Sequence, residues 1–570
     1  MFHTKDHKTG YLFDQGPFGW LGPRRKRLID TSWAKLFREK ILPSLPVNTL
    51  MQHYHLSQGA PTKELYTMLG VMVLQQMFDL TDEETVSQYA FNIQWHYALD
   101  ITGESDAVAY LSPKTLWNMR KLFCENDLYK DIFDSSTAIL ATAFAVDTSR
   151  QRIDSVPIFS NMRHLGRIGL FVATIKKFLV NLTRHHRVIF DSLEKERTDR
   201  YLSKKEASVF SMVKPSESAH TLETLGKDLF FFVERFKGNT GVTSMSSYTL
   251  LVRLLQEQCV VDGSIKPNKD VPSDSLQNPS DPDASYDGHK GKGYQTQVME
   301  TYSPDKDRLS LITHVVTEPA HTSDASALIP AIAATKKRQL KPEEVLADSL
   351  YGGDANCEKA KEQGVRVLSP VMGKESTKGI TLTDFGVSGT TVIACPEGNV
   401  PVFTKHKKDR YLAAFDPETC GACPHRNTCP AKPGKKGTYL RYDEKTLRIA
   451  QRRAYQKTAE FSEKYRYRSG IEGTMSFCDR KTGIKQLRVR GLTPVSFCAA
   501  LKAAAVNIFR ATAFQNRKDR DQKTETMATN RVPGSMYGAL ARFIRRIRLI
   551  AVNNYYPGSY EPPNMAAMAA

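Results

Sequence analysis

The sequence lacks an uninterrupted apolar run near the ~18 residues that a membrane-spanning helix needs. Its first ten residues, MFHTKDHKTG, also lack the apolar core of a signal peptide. No Gly-x4-Gly-Lys-Ser/Thr segment of the Walker type is present, which argues against ATP-driven chemistry. We therefore expect a cytoplasmic protein without a membrane partner.

Cysteine is scarce and unevenly distributed. The 570 residues include nine cysteines, an odd number that argues for a reducing compartment rather than a disulfide framework. Cys420, Cys423 and Cys429 are clustered, and Cys395 lies upstream. A Cys-x2-Cys pair with a third cysteine nearby has the spacing of a tetrahedral Zn²⁺ site, in which His425 is an alternative ligand. A loop of reduced cysteines is the simpler interpretation.

Acidic residues are too few to balance the basic ones. The chain has 80 Lys and Arg against 61 Asp and Glu, so its formal net charge is +19. A field of that size attracts a polyanion such as the phosphate backbone of a nucleic acid. Hydrophobic residues make up 41% of the chain, as expected of a folded globular protein. The composition therefore favours a nucleic-acid partner.

The hydrophobic pattern changes along the chain. Apolar residues recur at helical spacing through residues 62–128, and helical spacing returns at about 165–260. The segments YQTQVMETY and LSLITHVVTE alternate like the two strands of a hairpin, and a helical segment and the short apolar strand VLA follow. This order predicts an α/β fold with one mixed sheet.

Two carboxylates occupy positions where a ligand would bind. Asp348 directly follows the strand VLA, and the carboxyl ends of strands face the ligand crevice of an open α/β sheet. An Asp that hydrogen-bonds its own turn is the alternative interpretation. Glu472 lies in YRYRSGIEGTMSFCDRKTGIKQLRVRG (465–491), where seven Lys and Arg accompany only two acids.

Glu472 is predicted to share a helical stripe with Tyr465 and Arg468, because spacings of three and four residues fall on one face of a helix. Such a face suits a phosphodiester and a metal: the carboxylate binds Mg²⁺, the guanidinium binds phosphate and the phenol stacks or donates. A surface Arg–Glu pair is the alternative. Gly470 and Gly473 favour the ligand site, because glycine is costly inside a helix unless something approaches closely.

Phosphoryl transfer with two metal ions needs carboxylates from several separate elements. Asp154 in RIDSVPIF is the preferred further acid, and Asp147 and Asp262 are its rivals. Asp262 lies closer in sequence to the predicted hairpin, and local pattern does not separate the three. Lys290 in GHKGKG and Asp324 after the second hairpin strand are further candidates near the site.

Taken together, these segments resemble DDE transposases of bacterial insertion sequences, in the branch whose third acid lies in a Tyr-x2-Arg-x3-Glu motif. That motif corresponds here to Tyr465, Arg468 and Glu472. ADSLYGG resembles the family's second-acid segment, GKGYQTQVMETY resembles the strand pair before it, and RIDSVPIFSNM resembles the first-acid segment. The resemblance covers roughly residues 20–510.

The resemblance implies an RNase H-like mixed sheet with a catalytic, Mg²⁺- or Mn²⁺-binding triad of Asp154, Asp348 and Glu472. Water and then the freed 3′-OH would act as nucleophiles. Cysteines similar to the cluster described above also occur in this branch, where a structural Zn²⁺ would suit them. The implied partners are double-stranded DNA (terminal inverted repeats and target) and further copies of the chain in a homodimer or larger synaptic assembly. The implied location is the bacterial cytoplasm, at the nucleoid.

The implied organisation has three parts. They are a helical N-terminal DNA-binding domain (1–140), a catalytic domain (141–512) with a helical insertion at about 165–260 and a Cys-rich β insertion at about 375–440, and a basic C-terminal tail (513–570).

Two positions depart from the family pattern. The seventh position after the Glu is usually Lys and is Asp479 here, and the second position after the first acid is usually Thr and is Val156 here. An inactive, zinc-containing DNA-binding protein derived from a transposase is therefore the alternative function. Besides the Tyr and Arg of the motif, the expected phosphate contacts are Arg480, Lys481, Lys485 and Arg488.

Overall fold

The computed structural model describes residues 2–5, 7, 18–55, 58, 62–202, 213–260, 262–373, 379–408 and 410–529. Residues 1–510 form one compact unit and residues 511–570 form another. The described part of the second unit is helical. Most of the predicted basic tail, from residue 530 onward, lies outside the described residues.

Short helices fill the N-terminal region, as the apolar spacing predicts. Thr81 and Glu84 form a capping box, each side chain accepting a hydrogen bond from the other's backbone N–H. Ser112 caps a later helix, and Pro113 occupies that helix's first turn. The helices are α1 (Pro23–Asp30), α2 (Trp33–Leu36), α3 (Val47–Met51), α4 (Leu65–Met77), α5 (Asp82–Phe91), α6 (Ile93–Leu99), α7 (Asp106–Ala109), α8 (Pro113–Glu125) and α9 (Leu128–Ala143).

A six-stranded mixed sheet follows. Its strands are β1 (Arg150–Ile158), β2 (Ser285–Asp287), β3 (Gly291–Thr301), β4 (Ile312–Pro319), β5 (Glu344–Leu346) and β6 (Arg366–Leu368). β1 runs antiparallel to β3 and parallel to β5, and β6 extends the parallel side. β3 also pairs antiparallel with β2 and β4. The predicted hairpin is therefore β3–β4, and the predicted strand VLA begins within β5.

Helices make up most of the described residues between 167 and 258. They are α10 (Arg167–His185), α11 (Arg187–Asp191), α12 (Lys195–Leu202), α13 (Ser218–Phe236), α14 (Thr240–Thr243) and α15 (Ser246–Gln258). Their apolar faces form a separate core around Phe178 and Phe232. The helices predicted for this stretch are confirmed.

Two helices cover one face of the mixed sheet, and these are α16 (Leu328–Lys337) and α17 (Asp354–Glu362). Ile153 of β1 packs there against Leu328 and Ile332. Because side chains alternate along a strand, Arg152 and Asp154 lie on the opposite face. That alternation positions the candidate site.

The cysteine-rich stretch is largely β-structure. Its elements are β7 (Gly386–Ser388), β8 (Thr391–Ala394), β9 (Phe403–Lys407), β10 (Arg410–Phe415), α18 (Pro417–Ala422), β11 (Lys432–Gly434) and β12 (Gly437–Asp443). Four of the strands form an antiparallel sheet in the order β11-β12-β10-β9, and β7 pairs with β8.

The last helices are α19 (Glu444–Gln456), α20 (Ala459–Tyr465), α21 (Gly470–Thr482) and α22 (Leu492–Thr529). Over Leu492–Thr524, α22 is long and apolar enough to cross a membrane, but 72% of its most apolar window is buried inside the protein. Phe497 of α22 packs edge-on against Phe123 and Tyr129 of the N-terminal helices. These contacts are those of a core helix.

Candidate active site

Asp154 lies in the middle of β1, opposite Val298 of β3. Its side chain is 17% exposed. Burial raises the pKa of this carboxyl to about 6, against the lowering effect of Arg468, and nearby Asp348 and Asp324 raise it further. Three acidic side chains from separate elements therefore share one region.

Asp348 follows the end of β5, as predicted from the strand VLA. Its Oδ1 accepts hydrogen bonds from the N–H groups of Leu350 (2.8 Å) and Tyr351 (3.4 Å). The turn-capping interpretation is therefore correct for this oxygen. The carboxylate nevertheless lies close enough to Asp154 to raise the pKa of that residue, so the structure brings together two of the three proposed catalytic acids.

Arg468 connects the two ends of the candidate site. Its Nη2 donates to Asp154 Oδ2 at 2.8 Å, and its Nη1 lies 3.5 Å from Glu472 Oε1. Glu472 is 71% exposed. The surface Arg–Glu pair expected as the alternative is therefore present, and the same guanidinium also reaches into the sheet. Among the described residues, the buried Nε of Arg468 has no hydrogen-bond partner.

The spacing predicted that Tyr465, Arg468 and Glu472 lie on one face of a regular α-helix. This prediction is wrong. Tyr465 ends α20, a 3₁₀ segment spans Arg466–Ser469, and Glu472 lies in the first turn of α21. The tighter 3₁₀ turn rotates the side chains away from a single α-helical stripe. Tyr465 still lies near the acids. Burial raises the pKa of its phenol, and the nearby Asp348 and Asp154 raise it further, whereas Arg468 lowers it.

The two glycines beside Glu472 have different surroundings. A Cβ on Gly470 would collide with Nη1 of Arg152, whereas a Cβ on Gly473 would meet nothing within 4 Å. Arg152 donates from that same nitrogen to the carbonyl of Tyr467 at 2.5 Å. The sequence suggested that both glycines permit the close approach of a ligand. Gly470 does permit a close approach, but by the Arg152 side chain, and no group among the described residues approaches Gly473 closely.

A fully buried carboxylate supports this arrangement, and it was missed in the sequence. Glu300 of β3 is 0% exposed and forms ion pairs with Arg152 (2.6 Å) and Arg510 (2.8 Å). Thr474 of α21 donates its hydroxyl to the same carboxylate at 2.8 Å. The network connects α21 to β1 and β3. The sequence signal for this residue was a charged side chain within the otherwise uncharged strand YQTQVMETY.

Asp324 belongs to the opposite side of the strand pair. It accepts hydrogen bonds from Ser155 Oγ (3.2 Å) and Gln297 Nε2 (2.8 Å), and it forms an ion pair with Lys290 at 2.8 Å. Lys290 is therefore engaged within the protein. Asp324 is buried, and its charge is balanced by Lys290. Its role beside the site is therefore structural.

The basic segment after α21 lies beside the end of β1. Phe159 donates its N–H to the carbonyl of Lys485, and Leu487 donates to the carbonyl of Phe159, both at 2.8 Å. Arg488 forms an ion pair with Asp79 at 3.2 Å. Asp479 accepts a hydrogen bond from the N–H of Lys485 at 3.3 Å, so it has a local structural role at the position where the resemblance led us to expect Lys.

The exposure of the predicted phosphate contacts differs. Arg480 and Lys481 are exposed on α21, and Lys485 is half-buried. Lys481 also lies over the ring of Phe509, with 5.7 Å between Nζ and the ring centroid. Arg480 and Lys481 are thus the cations of this group that face solvent without an acidic partner in the described part of the chain.

The rivals of Asp154 lie elsewhere. Asp262 is exposed in the loop after α15 and accepts a hydrogen bond from the N–H of Ser264. Asp147 precedes β1 and accepts from the N–H of Ser149. Neither is among the groups that mainly shift the pKa of Asp154.

The fit of a divalent cation depends on the donor set. Within the described residues, no group of three or more His, Cys, Asp or Glu is close enough to hold a metal ion. Asp154 and Asp348 are hard oxygen donors from neighbouring strands, which suits Mg²⁺. Glu472 would need to move from its exposed position to join them. Asp154 and Asp348 therefore supply oxygen donors of the type that Mg²⁺ prefers, but among the described residues they do not form a group with a third acid.

The four clustered cysteines lie near one another. Cys395, Cys420 and Cys429 pack against the core of the cysteine-rich region. Burial raises the pKa of the Cys420 thiol, and Cys429, Cys395 and Cys423 raise it further. His425 is instead paired with Glu397, with 2.9 Å between Nε2 and Oε1. The four thiols are of the donor type that a structural Zn²⁺ site uses, but within the described residues they are not close enough together to form one.

Two family models match the sequence. Residues 394–512 match a transposase DDE domain, and residues 30–122 match a transposase domain (DUF772). The first match contains the Tyr-x2-Arg-x3-Glu motif and the clustered cysteines. Together the matches support a DDE transposase family for this chain.

No curated protein matches the sequence. Among solved structures, the piggyBac transposase in a synaptic complex with hairpin DNA aligns with 94% of this chain and 87% of its own, at 9% identity and a TM-score of 0.28. At that TM-score the alignment carries no argument about fold or function.

Proposed function

We propose that the protein is a DNA transposase of the DDE type, from a bacterial insertion sequence. It would bind the terminal inverted repeats of its own element, cleave there and join the freed end to target DNA. The observation that carries the proposal is the position of Arg468, which contacts Asp154 in the sheet and Glu472 on α21. The match of residues 394–512 to a transposase DDE domain supports it.

The strand order also supports an RNase H-like core. An antiparallel set, β4-β3-β1, continues into the parallel strands β5 and β6. Asp154 is on the central strand, and Asp348 follows the adjacent parallel strand. Ligands of open α/β sheets bind outside the carboxyl ends of such strands.

Asp154, Asp348 and Glu472 are the residues that would hold Mg²⁺ or Mn²⁺. A bound divalent cation neutralises charge and activates the nucleophile in phosphoryl transfer. The chain's own contribution is positioning. Arg468 offers its guanidinium to a phosphate next to the acids, and the exposed Arg480 and Lys481 lie further along α21.

The remaining expectations are part of the same proposal. The N-terminal helices would contact terminal-repeat DNA, the four cysteines would hold a structural Zn²⁺, and two or more copies would assemble on paired DNA ends in the bacterial cytoplasm. An inactive DNA-binding protein is the second candidate, and the exposed position of Glu472 favours it.

The test is Mg²⁺-dependent cleavage of a duplex that carries the native end of the element. We expect Asp154→Asn and Asp348→Asn to abolish cleavage while end binding persists. Asp262→Asn is the matched control, because Asp262 is exposed in the loop after α15. This variant should cleave like the wild type. Loss of cleavage in Asp262→Asn with retention in Asp154→Asn would overturn the assignment.

A further inference from the structure

The four-stranded sheet β11-β12-β10-β9 has one buried face and one exposed face. Tyr411, Ala413 and Phe415 of β10 pack into the core with Leu440 and Tyr442 of β12. Because side chains alternate along each strand, the residues between them lie on the other face. Among the described residues that second face is mostly exposed, although Leu412 is half-buried and Ala414 is buried.

The exposed face is basic. Arg410 of β10 is in register with Lys407 of β9, and Leu412 of β10 lies between Lys405 of β9 and Arg441 of β12. The four cationic side chains are exposed. Lys432 of β11, opposite Tyr439 of β12, is an exposed fifth.

The acid in register with these cations has another role. Asp443 pairs with Arg410 across the β10–β12 ladder. Its carboxylate caps α19 by accepting a hydrogen bond from the N–H of Thr446 at 2.7 Å. One carboxylate against five cations leaves the face with a net positive charge among the described residues.

Protection of a sheet edge explains only part of this pattern. Edge strands often carry Lys to prevent pairing with another sheet, and β9 is an edge strand with Lys405 and Lys407. Arg410 lies on β10, which is paired on both sides at that position, so edge protection does not explain it. A ligand explains the whole row of charges.

The aromatic side chains favour duplex DNA over a single strand. Lys405 lies over the ring of Phe403 at 5.2 Å, and Arg441 lies over the ring of Tyr439 at 5.4 Å. Single-strand sites stack bases on open aromatic rings, and here cations occupy the ring faces. Lys405 and Lys407 stand about 7 Å apart, roughly two base-pair rises along a DNA strand.

We propose that the basic sheet face (Lys405, Lys407, Arg410, Lys432 and Arg441) is a DNA-binding surface that holds duplex DNA through its phosphates. It uses none of the residues of the candidate active site. This inference rests on the proposed function, because the proposed function identifies the polyanion as DNA. It adds a second contact surface, in the cysteine-rich region.

The experiment measures binding of the full-length protein to a fluorescent duplex of arbitrary sequence, about 30 bp long, over a salt series. The test variant combines Lys405→Gln, Lys407→Gln, Arg410→Gln and Arg441→Gln. The control variant removes the same charge from exposed positions on the helical region, by Arg184→Gln, Lys195→Gln, Lys214→Gln and Lys227→Gln. Each lost phosphate contact lowers the slope of log K against log salt by about 1.

We expect the slope of the test variant to fall by about 3 to 4 and its affinity to fall at least about ten-fold, with the control within about two-fold of wild type. Equal losses in both variants would overturn the inference. So would a loss confined to single-stranded DNA of the same length. A wild type that binds no duplex would instead contradict the proposed function. Lys407→Gln alone should lower the slope by about 1, which separates charge loss from misfolding.

Discussion

Arg468 donates a hydrogen bond to Asp154 at 2.8 Å across 314 positions of sequence. The contact places the segment between α20 and α21 against the middle of β1. It also places a permanent positive charge beside a carboxyl whose burial raises its pKa to about 6. The stability of the region should therefore depend on the charge state of Asp154.

The first prediction concerns Arg468→Gln in metal-free buffer. At pH 5 the Asp154 carboxyl is mostly protonated in the folded protein, so loss of Arg468 should lower the melting temperature only slightly. At pH 8 Asp154 is ionised, and without the guanidinium it becomes a buried, unpaired charge that costs up to about 3–5 kcal/mol. Thermal melts with EDTA at both pH values measure the difference.

Arg466→Gln is the control for this prediction, because Arg466 is exposed and its guanidinium donates to the hydroxyl of the adjacent Tyr467 rather than to the acids of the candidate site. Its melting temperature should match that of wild type at both pH values. An equal cost of Arg468→Gln at pH 5 and pH 8 would mean that the guanidinium does not stabilise ionised Asp154.

The second prediction compares Gly470→Ala with Gly473→Ala. A methyl group at Gly470 would collide with Arg152 and displace it from the carbonyl of Tyr467 and from Glu300. We expect this variant to melt at a lower temperature. Gly473 has open space and lies inside α21, so its substitution should stabilise the protein by up to about 1 kcal/mol. Equal effects of both variants would contradict this difference.

Local pattern predicted the hairpin strands, the strand before Asp348 and many of the helices, because their periodicity is present in adjacent residues. The hairpin β3–β4, the strand that precedes Asp348 and the Ser112 cap were all predicted in this way. The position of β1 between β3 and β5 was not predicted. The strands that pair with β1 are about 140 and 190 residues away in sequence, and their pairing is determined by tertiary packing.

The candidate site was only partly predictable for the same reason. Asp154 was preferred over Asp147 and Asp262, but local pattern did not decide between them, and the fold places Asp154 in the sheet and Asp262 in an exposed loop. Helical spacing suggested one stripe for Tyr465 and Glu472, but a 3₁₀ turn interrupts it. The partners of Glu300 come from β1 and α22, far along the chain, and no local pattern connects them.

The third prediction is a structural zinc ion. We expect the purified protein to contain about one Zn²⁺ per chain by elemental analysis, and a strong chelator to lower its melting temperature. The double variant Cys420→Ser, Cys423→Ser should lose the metal. Cys357→Ser should retain it, because Cys357 is outside the cluster, where its thiol contacts the carbonyl of Gly352. Zinc-free wild type, or full zinc in the double variant, would contradict the site.

The most direct test of the central claim is cleavage and strand transfer with Mg²⁺ on a duplex that carries the element's native end, for wild type and Glu472→Gln. The amide keeps the shape of the side chain and removes its charge. We predict that both activities fall about 100-fold or more while end binding persists, and that Glu463→Gln, an exposed acid on α20, behaves like wild type. Equal activity in Glu472→Gln and wild type would contradict the account, and end binding without cleavage in any of the three proteins would identify an inactive DNA-binding protein.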